Sequence, residues 1–202
     1  MVKIIRLLIV ISVLWVPAWA GAATPSQTVE DHVNRLLAVL GNKSLSGPAG
    51  EEQKKTDIRA ISDSLFDFSE LSRFALGAGW RSLSPDQQKS FVGLYRQLLE
   101  SIYMGRLLQY KGEKVVLKGE SALSDTRSEV RSEVQSADGV IPIDYRLILK
   151  DNVWKVYDLV IENASLALNY RAQFSSILSK NSPDKLLEML QEKVKEQTAV
   201  SN

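Results

Sequence analysis

The hydrophobic period of this chain switches at Gly112 and switches back after Ile161, and the two switches fix the class of fold it can adopt. Before Gly112 apolar residues recur at three- and four-residue intervals, as on one face of a helix. Val29, Val33, Leu36, Leu37 and Leu40 form the first such stripe, and Gly41-Asn42 stops it. A Gly/Ser/Pro loop spans Lys43 to Gly50. Ile58, Ile61 and Leu65 mark a second helix. A short third carries Phe68, Leu71 and Phe74 to Leu76 and ends at Gly77. Ser84-Pro85-Asp86-Gln87 opens a long fourth: Ser84 can cap, Pro85 suits the first turn, and Gln87 can reach back to close a capping box. Phe91, Leu94, Tyr95, Leu98, Ile102 and Tyr103 then face one way.

Between the switches the period is two. Val115 and Leu117 alternate with charge, and Val130 and Val134 oppose Glu129, Arg131 and Glu133. Ile141, Ile143, Tyr145, Leu147 and Leu149 share a face, and Val153, Tyr157, Leu159 and Ile161 continue the scheme. Asp138-Gly139 and Asp151-Asn152 suit tight hairpins because these residues tolerate positive φ. The pattern predicts an antiparallel meander of about four strands. Two helices follow, one with Leu166, Tyr170, Phe174 and Ile177, the other starting at Ser182-Pro183-Asp184 with Leu186, Leu187, Leu190 and Val194; the tail after about Glu196 is expected to fray. Helices, then a sheet, then helices make an α+β fold: a helical layer on an antiparallel sheet, one domain over residues 23–202. The helix from Pro85 to about Tyr110 is the expected cover for the apolar sheet face. A helix laid across a curved sheet can enclose an apolar cavity.

Residues 1–22 have the order of a secretory signal. Lys3 and Arg6 are followed by an apolar run from Leu7 to Val16, and Ala18-Trp19-Ala20 and Ala20-Gly21-Ala22 are alternative cleavage sites. The apolar run is short for a membrane span, which makes an uncleaved anchor the lesser alternative. The chain has no cysteine, so neither lipoprotein acylation nor a disulfide framework is expected, and packing alone must hold the fold. The whole chain has 25 basic and 24 acidic residues; without Lys3 and Arg6 the balance is 23 − 24 = −1. That excludes a strong electrostatic draw toward nucleic acid, which needs a basic surplus.

Catalytic chemistry finds little to work with. The one histidine, His32, lies near the polar side of the first helix and reads as a surface residue; local spacing offers it no metal partners. Without cysteine, and with a lone histidine, the usual triads and thiol nucleophiles are absent. Glu129 and Glu133 beside Arg131 read as a solvated strand face rather than an acid–base pair. Asp67 and Glu70 read as helix-capping acids. Gly77-Ala78-Gly79 follows no strand, so it is no phosphate loop; it reads as a helix stop that lets backbone approach Trp80. What remains is a set of aromatics spread over helices and strands that should meet: Phe74, Trp80, Tyr95, Tyr103, Tyr110, Tyr145, Trp154, Tyr157, Tyr170 and Phe174. They suit either a filled core or the wall of a cavity with a wet mouth, since tyrosine is an apolar body with a polar tip.

The order of certain residues goes further. Phe66-Asp67-Phe68, Leu71-Ser72-Arg73-Phe74-Ala75-Leu76-Gly77, Trp80-Arg81, Leu83-Ser84-Pro85-Asp86-Gln87-Gln88, Phe91, Tyr95-Arg96-Gln97-Leu98-Leu99, Tyr103 and Leu107-Leu108-Gln109-Tyr110 come first. Pro142-Ile143-Asp144-Tyr145-Arg146-Leu147, Trp154-Lys155-Val156-Tyr157-Asp158 and Asn169-Tyr170-Arg171-Ala172-Gln173-Phe174 follow. Over roughly residues 28–195 this order resembles the MlaC family, also called the toluene-tolerance auxiliary family. The resemblance implies a periplasmic phospholipid carrier and not an enzyme. Such a carrier shuttles lipid between an outer-membrane lipoprotein complex and an inner-membrane ABC transporter, with phospholipid as cargo and no cofactor. It implies that acyl chains lie between helices and sheet, against Phe74, Leu76, Tyr95, Leu98, Tyr103, Leu107, Ile143, Tyr145, Leu147 and Tyr157. Arg73, Arg81, Arg96 and Arg171 match basic positions, for structural ion pairs first, or for partners or lipid phosphate. A periplasmic interaction or chaperone-like module with a filled core and no lipid cargo, and a cavity enzyme with an acid–base pair, are the competing readings.

Overall fold

The computed structural model describes residues 23–201, with side chains to Ala199; the signal segment and its cleavage site lie outside the described residues. Helix α1 (Pro25–Leu40) starts at a capping box in which the Gln27 N–H donates to Thr24 Oγ1 at 3.1 Å and the Thr24 N–H to Gln27 Oε1 at 3.0 Å. Helix α2 (Gly47–Leu65) begins inside the stretch read as a loop, with Pro48 in its first turn. Helix α3 (Phe68–Leu76) is capped by Asp67, whose Oδ1 accepts from the Glu70 N–H at 2.9 Å. A 3₁₀ turn over Gly77–Ser82 leads to α4 (Pro85–Leu108), which starts at the expected Ser84/Gln87 box.

The strands are β1 (Lys114–Ser124), β2 (Arg127–Ser136), β3 (Gly139–Lys150), β4 (Val153–Ile161) and the two-residue β5 (Ala164–Ser165), paired antiparallel in chain order. Asp151 and Asn152 both take positive φ, 49° and 61°, as their hairpin requires. Glu162 and Asn163 do the same at a turn that the sequence reading did not mark. Helices α5 (Leu166–Leu178) and α6 (Pro183–Ser201) close the chain, and α6 stays helical through the tail expected to fray.

Two apolar cores result. One joins Val29 and Val33 of α1 and Leu65 of α2 to Val130, Tyr145, Leu147 and Val156 of the sheet. The other gathers α3, α4, α5 and α6 around Phe91, Tyr95, Leu98, Phe174 and Leu186. Leu159 of β4 packs against both. The expected cover is therefore corrected: α1, not α4, lies over β1 and β2, while α4 packs on α6 and α3. The reason is the width of the stripes. α1 buries one narrow face that suits a sheet, whereas α4 buries Phe91, Tyr95, Leu98 and Leu99 with Leu94, Ile102 and Tyr103 packed beside them, and such a helix needs helices around it.

Candidate functional site

The candidate wall residues divide between the two cores. Ile143, Tyr145 and Leu147 sit on the β3 face turned toward α1; Leu147 is fully buried, and burial pushes the Tyr145 phenol up to about 12. Leu76, Tyr95 and Leu98 are buried in the helical core, with Phe74 and Tyr103 packed against it. Leu107 is half-buried on the last turn of α4.

Tyr157 leaves the face on which strict alternation placed it. The β3–β4 register shifts between Arg146 and Leu147, so that Arg146 faces Asp158 and Leu147 faces Val156. A bulge of this kind sets two residues against one and turns the side chain aside. Tyr157 meets α3 instead: its ring lies edge-on to Phe74 at 5.5 Å, under the Arg127 guanidinium at 5.1 Å. Phe74 is flanked in turn by Arg171, 4.7 Å from its ring centre, whose Nε donates to the Phe74 carbonyl at 3.0 Å. Phe66 bridges in parallel to Val156, and the Asp67 N–H donates to the Val156 carbonyl at 2.9 Å, which docks α3 beside β4.

In the helical core the rings touch. Tyr95 lies 5.7 Å from Phe91, 5.1 Å from Tyr170 and 5.5 Å from Phe174. These contacts pack α4 against α5 at the centre of the helical core. Open clefts occur along the α1–β1 seam. One of about 430 Å³ is lined by Pro25, Glu120, Ala122, Leu123, Arg127 and Trp154 among others, and one of about 330 Å³ by Glu30, Val33, Asn34 and Val115 to Leu117. None of the candidate wall residues lines either cleft.

The following polar groups have structural partners. His32 is half-buried rather than on the surface: Nδ1 sits 2.7 Å from the Thr28 carbonyl and Nε2 3.1 Å from Ser64 Oγ, which pins α1 to α2. Glu129 pairs with Arg146 at 3.0 Å and Glu133 with Lys118 at 2.8 Å. Arg96 pairs with Asp63 at 2.8 Å, and Arg73 lies 3.6 Å from Glu70. Gly77, at φ +55°, lets Arg171 rather than Trp80 approach: a Cβ there would sit 3.0 Å from Arg171 Nε. Sequence reasoning missed Asp158, which is fully buried. Its carboxylate accepts from Ser165 Oγ at 2.6 Å, the Ala167 N–H at 3.0 Å and Arg146 at 3.4 Å. An aspartate alternating with apolar residues reads as solvent-facing, and no local signal announces the α5 N-terminus folded over it.

A family model described as MlaC protein matches residues 30–192. A Haemophilus influenzae protein named intermembrane phospholipid transport system binding protein MlaC is 30% identical over 122 residues; these are 58% of this chain and 57% of the relative, so the match spans little more than half of its length. The toluene tolerance protein ttg2D of Pseudomonas putida is 24% identical over 173 residues, 81% of this chain and 77% of the relative. Among solved structures, a phospholipid-binding protein from Ralstonia solanacearum in complex with a phospholipid superposes with a TM-score of 0.76 at 27% identity, covering 87% of this chain and 99% of that one.

Proposed function

Since this chain belongs to the MlaC family, we propose that it is a phospholipid carrier of the periplasm. On this reading it takes up diacyl lipid, and passes it between an outer-membrane lipoprotein complex and an inner-membrane ABC transporter. The observation that carries the reading is the Ralstonia solanacearum likeness: a protein of the same fold, matched over almost its whole length, that was solved holding a phospholipid. The architecture is consistent with it. No helix among the described residues is long and apolar enough to cross a membrane. Two apolar cores meet at one strand, and separating them would expose enough hydrocarbon to receive acyl chains, each CH₂ of which favours burial by about 0.8 kcal/mol. The cargo is bound and released unchanged, so the reading asks for no catalytic residue and no cofactor. Near-neutral charge suits reversible docking to more than one partner.

One observation favours a second reading. The contacting rings of the helical core are those of a filled interior, as expected of an interaction module without cargo. Native mass spectrometry of gently purified protein, followed by incubation with labelled phospholipid vesicles, separates the two. The carrier reading expects one diacyl lipid per chain and passive transfer to acceptor vesicles without nucleotide. Protein that is lipid-free and takes none up leaves the interaction module.

A further inference from the structure

Two hydroxyls in the helical layer are fully enclosed and have no hydrogen-bond partner among the described residues: Tyr95 Oη and Ser72 Oγ, on residues 0% and 1% exposed. Such groups are rare, because a buried donor left unpaired forfeits the hydrogen bonds it had with water. They lie toward one compartment. Tyr95 stands on α4 within the aromatic cluster of Phe91, Tyr170 and Phe174, and Ser72 shares a helix face with Ala75 and Leu76, which belong to the same core. Of the rings that contact Tyr95, only that of Tyr170 carries a hydroxyl, and it makes no hydrogen bond to Tyr95 Oη.

The charge nearby restricts what could complete the pair. Asp158, a fully buried carboxylate, is close enough to act on Tyr95 electrostatically, and its own oxygens are engaged by Ser165, Ala167 and Arg146. An arriving phosphate or fatty-acid carboxylate would be repelled there and would meet a low-dielectric interior. A neutral acceptor would not. An esterified diacyl lipid brings two such acceptors, its ester carbonyls, at the junction of its polar and apolar parts. It brings no donor there, and two hydroxyl donors are what the helical layer offers.

We propose that Tyr95, with Ser72 in the same helical layer, reads the ester linkage of the bound lipid: when that layer parts from the sheet to admit acyl chains, the two hydroxyls donate to the ester carbonyls. They thereby select ester-linked over ether-linked cargo. This rests on the phospholipid reading above and adds the chemical group that is recognised and the residues that recognise it. It also gives the unpaired hydroxyls a role that a permanently closed core lacks, since in that core phenylalanine and alanine would serve better.

The test compares delipidated wild type, Tyr95→Phe and Ser72→Ala. Each is offered vesicles of dioleoyl phosphatidylethanolamine and phosphatidylglycerol, or of the same head groups with ether-linked oleyl chains. Bound lipid is counted by native mass spectrometry, and melting of the lipid-free proteins is followed alongside. Wild type should take the ester lipids roughly three- to tenfold better, the span of one or two net hydrogen bonds. Tyr95→Phe should lose most of that preference while its lipid-free form melts no lower than wild type. Equal uptake of both lipids by wild type overturns the inference and leaves the carrier reading standing. So does a Tyr95→Phe protein that keeps the preference, as it would if internal water held the hydroxyl. Wild type that takes up neither lipid removes the carrier reading, and this inference with it. The wild-type comparison needs no variant to fold.

Discussion

Asp67 caps α3 through Oδ1 and holds Lys150 of β3 through Oδ2 at 2.7 Å, and Lys150 reaches Glu70 at 2.9 Å as well. Burial by itself would raise the Asp67 carboxyl and lower the Lys150 ammonium; the Lys150 ammonium with the Glu70 and Ser69 N–H groups more than reverses the first, and the Asp67 and Glu70 carboxylates more than reverse the second. A carboxyl held low contributes stability above its unfolded range near 3.8, lost as pH falls through the lower native value. A lysine held high contributes below 10.5, lost as pH rises through the higher native value. The tie therefore spans the neutral window. Asp67→Asn keeps a capping oxygen and loses the charge, so denaturation at pH 7 should show it less stable by about 0.5–1 kcal/mol, a figure reduced for the partial exposure of Lys150. At pH 3 the gap should narrow; an undiminished gap would mean that the carboxylate charge is not its source. Asp144 carries the opposite sign. Burial first, then Glu129, raises its carboxyl, so its ionised form weighs against folding at neutral pH and that penalty fades on acidification. Asp144→Asn should stabilise at pH 7 by a few tenths of a kcal/mol, about the span of a surface substitution. Asp67 as a cap was legible from its place before an apolar run. Lys150 as its partner was not, because 83 residues separate them and no local pattern encodes which strand end meets which helix start.

Elements were readable wherever their ends carry their own chemistry. The Ser84/Gln87 box, the Asp151-Asn152 hairpin and the stop at Gly77 are each decided by a few adjacent residues, and each stands where the sequence put it. Ser84→Ala should lower stability by about 1 kcal/mol in urea titration, the usual worth of a helix N-cap. Gly77→Ala should cost at least as much, roughly 1–2 kcal/mol, because it combines a φ of +55° with a Cβ set against Arg171; if its midpoint matches wild type, the α3 stop is not strained. Elements misled where geometry depends on a neighbour. The bulge opposite Leu147 follows from pairing with β3, and nothing between Val153 and Ile161 marks it, so Tyr157 was placed with Tyr145 and Leu147 when it belongs with Phe74. The length of α4 suggests it as the cover for the sheet, yet neither length nor an apolar stripe says what a helix covers; its partner, α6, lies beyond the whole meander.

At the scale of the molecule, the α+β class and the meander were legible because the two changes of period separate the layers, whereas the division into two cores meeting at Leu159 was not, since it depends on which face each helix chooses. That division bears on cargo. If lipid enters by parting the helices from the sheet, its chains lie against the seam, and Leu159 packs against both sides of it. Bound lipid stabilises the native state by mass action, so melting should rise with the logarithm of excess lipid, by about 2.7 kcal/mol at a hundredfold over Kd. Leu159→Ala should lower the stability of the stripped protein and, beyond that, shrink the increment that lipid adds. Leu190→Ala supplies the control, because Leu190 is buried in the helical core on α6 and has no part in the sheet core. It should cost the stripped protein about 2–5 kcal/mol while leaving the lipid increment near its wild-type size. The measurement is calorimetry of each protein, stripped and reloaded from phospholipid vesicles. Equal increments in both variants would place the cargo away from the seam. A smaller increment in Leu190→Ala would place it among the helices, away from the sheet.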